Sequence, residues 1–259
     1  MFDLLCQSGE PALSRASSAA GPDAVTLERR ELKFALPGVD SAAIIETLSG
    51  NLEPLAFGGA ADSRVSSIYF DNDQLVSCRE SMDGVSRRTK VRMRWYDAPL
   101  EEATELWFEL KHRRNVSISK ERFPIRLPRP LGAFPFAELH RYVTRSLDSE
   151  AAQEWLSLRP SPTVLVSYRR RHFRDPASGI RLTVDREICG YDQLGLRVPA
   201  RRFATPLEGV TVIEVKTPVG EEANAAELLF PLKPRLTRSS KYASCCALMG
   251  WHILAEPHD

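Results

Sequence analysis

Strand-like stretches of this chain place charged side chains at every second position. The sets are Arg29, Glu31 and Lys33; Lys90, Arg92 and Arg94; Glu109 and Lys111; Lys120 and Arg122; Tyr168 and Arg170; Arg181, Thr183 and Asp185; and Glu214 and Lys216. Successive side chains of a strand point to opposite faces, so each set lines one face, and the intervening residues are largely apolar. One such strand is an ordinary solvated face with ion pairs along it. Many together are not. Like charges side by side on a sheet repel, and an unpaired buried charge is strongly unfavourable, so Arg92 and Arg94 call for an anionic partner. A sheet curled into a barrel with this face inward would enclose a basic lumen with a few carboxylates, a hole shaped for a polyphosphate.

Glu31, Glu109 and Glu214 each precede a lysine by two positions on the same face. Each either neutralises that lysine or ligates Mg²⁺ or Mn²⁺, since hard divalent ions take carboxylate oxygens together with phosphate oxygens. Ser240-Lys241 stands at the start of a final helix. Ser is a good N-cap, and a helix N-terminus also binds phosphate through its free N–H groups. Arg238 and Lys241 oppose the helix dipole there and so ask for an anion. His112, His140, His172, His252 and His258 form no catalytic or zinc pattern. No P-loop and no Gly-x-Ser-x-Gly elbow occurs.

Composition narrows the class. The 259 residues carry 35 Lys+Arg against 34 Asp+Glu, a formal charge of +1. A nucleic-acid binder that relies on bulk charge is more basic. Trp95, Trp107, Trp155 and Trp251 suit core packing, and the RNA-binding aromatic motif is absent, so no nucleic-acid partner is expected. The five cysteines (Cys6, Cys78, Cys189, Cys245, Cys246) are odd in number and lack metal-ligand spacing, which suits a reduced, cytoplasmic setting. No apolar run is long enough to span a membrane. Residues 7–24, rich in Ser, Ala, Gly and Pro, make 1–24 a disordered leader, with one domain over 25–254 and a tail at 255–259.

The elements that must position the charges are strands over 26–36, 64–70, 87–96, 105–114, 116–125, 163–174, 180–189 and 210–217. Asn115 and the run Asp175-Pro176-Ala177-Ser178-Gly179 supply turns. Helices are expected over 41–48 capped by Asp40, over 74–82 from Asp73, over 136–158 as a single helix, over 221–230, and from Ser239 or Ser240 to about Trp251. Hairpin-linked strands with interspersed helices make this an α+β protein.

Nine segments in this order resemble the VTC domain, the catalytic core of vacuolar transporter chaperone polyphosphate polymerases. That family belongs to the CYTH-like triphosphate tunnel metalloenzymes. The segments are Glu28-Arg29-Arg30-Glu31-Leu32-Lys33-Phe34, Ser67-Ile68-Tyr69-Phe70-Asp71, Lys90-Val91-Arg92-Met93-Arg94-Trp95-Tyr96 and Phe108-Glu109-Leu110-Lys111. Ser119-Lys120-Glu121-Arg122-Phe123, Tyr168-Arg169-Arg170, Arg181-Leu182-Thr183-Val184-Asp185, Ile213-Glu214-Val215-Lys216 and Ser239-Ser240-Lys241-Tyr242 follow.

The resemblance implies an eight-stranded antiparallel β-barrel tunnel with flanking and capping helices. It also implies that Lys33, Arg92, Arg94, Lys111, Lys120, Arg170, Arg181 and Lys216 hold phosphates, and that Tyr168, Ser240 and Lys241 contact the chain or nucleotide phosphates. Glu214 would ligate Mn²⁺ or Mg²⁺, with Glu109 and Glu31 as further candidates. The implied activity is transfer of the ATP γ-phosphoryl onto a growing polyphosphate; a triphosphatase or a non-catalytic polyanion-binding module of the same fold are the alternatives. The wider group opens with Glu-x-Glu-x-Lys, whereas Arg29 stands at the first position here. One carboxylate fewer fits the polymerase branch better than a hydrolytic two-metal site. Nothing in the chain resembles the phosphate-sensing SPX domain that accompanies eukaryotic polymerase subunits.

Overall fold

Period-two alternation carries through into a sheet whose two faces do different work. The computed structural model describes residues 29–56, 60–115, 117–218, 220–237 and 239–251. The expected leader and tail, Arg238, His252, His258 and Cys6 lie outside them. The strands are β1 (Arg29–Pro37), β2 (Glu53–Leu55), β3 (Asp62–Asp71), β4 (Arg87–Tyr96), β5 (Glu105–Arg114), β6 (Ser117–Arg126), β7 (Ser161–Arg174), β8 (Arg181–Asp192), β9 (Ala204–Pro206) and β10 (Val210–Pro218). The helices are α1 (Ser41–Ser49), α2 (Val76–Met82), α3 (Phe136–Ser146), α4 (Glu150–Leu158), α5 (Glu222–Leu228) and α6 (Lys241–Leu248).

The long strands pair in the order β1-β10-β8-β7-β3-β4-β5-β6, with every neighbour antiparallel; β2 and β9 add short pairings to β7 and β8. The sheet curls until its two ends, β1 and β6, approach one another, but no ladder joins them among the described residues. The wall expected from the sequence is therefore present as a curled antiparallel sheet with a seam.

The outward face is apolar and covered by helices. Ile68, Val91, Met93, Phe108, Leu110 and Ile125 form one buried cluster with Leu139 and Val143 of α3 and Leu156 of α4. Phe34, Leu182, Val184, Ile213 and Val215 form a second with Ile44 and Leu48 of α1 and Ala225 of α5. Each fully buried side chain of this size contributes about 1.5–3 kcal/mol. A third cluster lies on the inward face, where α2 and α6 cover Val65, Tyr69, Val164, Val166, Tyr168 and Val212 through Cys78, Tyr242, Cys245 and Cys246. All four described cysteines are free thiols. No described helix is long and apolar enough to cross a membrane.

Two helix expectations are corrected. The single helix over 136–158 is two, because Leu147 leaves the helix with extended backbone and Ser149 caps α4 by accepting from Ala152 N at 3.3 Å. The apolar stripe changes phase at that break, so Ala152 and Leu156 are buried in place of Ala151 and Trp155. Helix α2 begins at Val76, not after Asp73. Asn72 Oδ1 and the Asp71 carboxylate accept its first N–H groups at 2.9–3.1 Å, while Asp73 accepts from Ser161. Asp40 and Ser240 cap α1 and α6 as expected.

Candidate functional site, a basic lumen

Register brings the alternating charges face to face. Arg92 lies opposite Glu109, which lies opposite Arg122; Lys33 lies opposite Glu214, and Arg170 opposite Asp185. Glu109 is 0 % exposed. Its Oε2 receives Arg92 at 2.6 and 2.7 Å, with Arg94 Nε at 3.7 Å, and its Oε1 receives Arg122 at 2.7 Å and Lys120 at 2.5 Å. Burial alone would raise its pKa. The charges of Arg92, Arg94 and Lys120 outweigh that and hold Glu109 ionised. One carboxylate cannot neutralise this many cations. Burial, with Arg92 and Arg94 nearby, pushes the Lys120 ammonium down to about 6 even though it touches Glu109.

Asp185 anchors the opposite wall. It is fully buried, takes a bidentate bond from Arg170 at 2.6 and 2.7 Å, and receives Lys241 Nζ at 2.6 Å. Arg170 and Lys241 also lie over the Tyr168 ring, at 5.3 and 4.8 Å. Tyr168 is thus a buried platform beneath two cations. Glu214 is different. Its ion-pair contacts are long, 3.8 Å to Lys33 and 3.9 Å to Arg170, and Thr183, its cross-strand neighbour, has a buried Oγ1 with no hydrogen-bond partner among the described residues. Lys33 also meets Glu31 at 3.0 Å. Burial would lower its pKa, but Glu214 and Glu31 raise it.

Lys90 was legible as an alternating charge, but its role was not. It is half-buried, donates to Ser240 Oγ at 2.7 Å, and has no carboxylate contact among the described residues. Burial and the neighbouring Lys33 and Lys111 lower its pKa well below the usual range. A half-buried ammonium in this state is stabilised by an incoming anion. Tyr242 fixes the adjoining helix. It stacks on Tyr69 at 4.7 Å and donates to Asp71 at 2.8 Å, while Tyr69 OH accepts from Arg92 at 3.0 Å.

The structure brings Lys33, Arg92, Arg94, Lys111, Arg170, Lys241, Lys120, Tyr168, Ser240, Glu31, Glu109 and Glu214 onto one inward face. Arg181 and Lys216 are exposed and lie opposite one another in register. They border a cavity of about 420 Å³ lined also by Arg170, His172, Thr183 and Glu214. Burial and then Arg170 press His172 down to about 4, so it is neutral near pH 7. Of the three expected metal ligands, Glu109 has both oxygens occupied by cations. Glu214 has oxygens without a close partner, and Glu31 stands near it across Lys33. No three or more His, Cys, Asp or Glu residues converge as a metal cage among the described residues. A divalent ion here would take one or two carboxylates and draw its other ligands from phosphate and water, which suits Mg²⁺ and Mn²⁺.

No curated protein matches the chain. The PH1819 protein from Pyrococcus horikoshii OT3 is similar in structure over 86% of this chain and 98% of that one, with 14% identity and a TM-score of 0.45. The family model of the VTC domain matches residues 28–250, which takes in every strand and helix described above, and the chain belongs to the VTC domain family.

Proposed function

We propose that this chain is a polyphosphate-forming phosphotransferase that moves the γ-phosphoryl of ATP onto the end of a polyphosphate chain. The observation that carries the reading is the inward face itself: Lys33, Arg92, Arg94, Lys111, Lys120, Arg170 and Lys241 share four carboxylates, Glu31, Glu109, Asp185 and Glu214, and Lys90 stands beside them on Ser240. A lumen with that surplus is completed by a polyanion.

A terminal phosphate oxygen of the chain attacks the γ-phosphorus, the bond from that phosphorus to the β-bridging oxygen breaks, and ADP leaves with the electron pair. The attacking oxygen is already ionised, so no general base is required. Phosphoryl transfer depends chiefly on alignment and charge stabilisation. Arg92 and Arg94, fixed by Glu109 and Ser67, and Arg170, fixed by Asp185, present guanidinium edges that do not reorganise as charge shifts. Lys90 and Lys241 at the start of α6 hold the phosphates at that side. Glu214, with Glu31, would hold the Mn²⁺ or Mg²⁺, which when bound supplies charge neutralisation at the phosphate oxygens.

The test is product analysis after incubation with ATP and Mn²⁺. Polyphosphate chains with stoichiometric ADP are expected. Free phosphate as the product would make the chain a triphosphatase, and binding without turnover would make it a polyanion-binding module.

A further inference from the structure

We propose that Tyr96 and Trp107 form a stacking platform for the base of the nucleoside triphosphate donor; this rests on the lumen holding that donor's phosphates. Tyr96 follows Arg94 by two positions on β4, and Trp107 precedes Glu109 by two on β5, so both rings belong to the inward face. Antiparallel pairing sets the C-terminal ends of β4 and β6 and the N-terminal end of β5 at one end of the sheet. Exposure follows this geometry. Arg92 and Arg94 are 8 % and 5 % exposed, whereas Tyr96, one inward position further, is 38 % exposed. An aromatic ring therefore meets water where the phosphate-binding wall ends.

Arg122 couples the two regions. Its Nε donates to Glu109 at 2.7 Å, its Nη2 donates to Tyr96 OH at 3.0 Å, and its guanidinium lies 5.5 Å from the Trp107 ring centre. Aromatic faces joined to an arginine beside a phosphate-binding groove are how proteins hold bases without reading their edges. Arg181 and Lys216, exposed at the same end of the sheet, offer charge alone. The platform would accept any base through its π face, with little discrimination among nucleoside triphosphates.

Calorimetric titration of the full chain with a non-hydrolysable ATP analogue and with inorganic tripolyphosphate tests this. Tyr96→Leu and Trp107→Leu are expected to weaken the nucleotide by roughly tenfold while leaving tripolyphosphate affinity within twofold or so. Tyr96→Phe, which keeps the ring and loses the Arg122 bond, should retain most of the nucleotide affinity. Parallel losses for both ligands, or no loss for either, would overturn the platform while leaving the phosphate reading intact. Failure of wild-type protein to bind tripolyphosphate at all would bring down the phosphate reading, and the platform with it.

Discussion

Lys111 Nζ lies 3.1 Å from Glu31 Oε1 and 3.3 Å from Oε2, so a side-chain ion pair ties β5 to β1 across the seam that no backbone ladder closes. Lys33 shares the same carboxylate at 3.0 Å. Removing the charge of Glu31 leaves two lysines facing one another at the seam. Glu31→Gln should destabilise the empty protein by roughly 1–3 kcal/mol, less than a fully buried pair because both lysines retain some contact with water. Denaturant melts with and without tripolyphosphate check this. The deficit should shrink when phosphate supplies the missing negative charge, and a deficit that ligand does not change would mean the pair acts only as a structural clasp.

Glu109 is the more severe case. Arg92, Arg94, Lys120 and Arg122 all converge on it, and Glu109→Gln strands Arg92 and Arg94 in a buried space beside the more exposed Lys120 and Arg122. A loss of roughly 3–5 kcal/mol is expected for the free protein, as for other buried pairs deprived of one partner. Tripolyphosphate should then raise the melting temperature of the variant by more than it raises that of wild type. Wild-type stability in the variant would show that water reaches these cations and that the lumen is open to solvent throughout.

The charged face was legible because a two-residue period needs no knowledge of neighbours. Arg92, Arg94, Glu109 and Glu214 fall inward on the strength of alternation alone. The need of Arg92 and Arg94 for an anion was legible too, but its identity as Glu109 depends on which strands pair and in what register. Three-dimensional closure hid the rest. Lys90 meets Ser240 across 150 positions of sequence, and Lys111 meets Glu31 across a seam that no turn signals. The break between α3 and α4 was overlooked because Leu147 extends the stripe of α3, although Ser149 is an N-cap signal. The sequence reads Trp107 as a packing residue because an aromatic residue on an alternating strand does not announce whether it sits at the middle or the rim.

The lysines give the site a proton signature. Burial, with Lys33 nearby, lowers Lys111 from 10.5 to about 8, even with Glu31 in contact. Because the folded value lies below the unfolded one, the unfolded chain holds more protons at this site between about pH 8 and 10.5, and the contribution of Lys111 to stability improves as pH rises through that window. Below it the penalty of the buried charge is felt in full. A bound polyanion favours the protonated form, as it does for Lys120 and Lys90. Tripolyphosphate binding near pH 8 should therefore take up protons, and affinity should fall as pH rises further. Calorimetry in buffers of different ionisation enthalpy reads the uptake as a slope; a flat line would mean that these lysines are already charged in the empty lumen.

Glu214 is buried like Glu109 and Asp185, yet its ion-pair contacts are at 3.8 and 3.9 Å where theirs include contacts near 2.6 Å. The buried Thr183 hydroxyl on the neighbouring strand also lacks a partner among the described residues. A carboxylate held ionised by Lys33 and Arg170 against the effect of burial, but without a close donor, is suited to a divalent cation. Glu214→Gln keeps the shape and removes the charge. The fold should survive, because no short ion pair is lost, and tripolyphosphate alone should still raise the melting temperature. The further rise that Mn²⁺ gives in the presence of tripolyphosphate should disappear. Charge stabilisation by a catalytic metal is worth several kcal/mol, so metal-dependent turnover should drop by about a hundredfold or more. If the variant keeps its Mn²⁺ increment, the metal is held from the Glu31 side of Lys33, and Glu31→Gln should remove the increment instead.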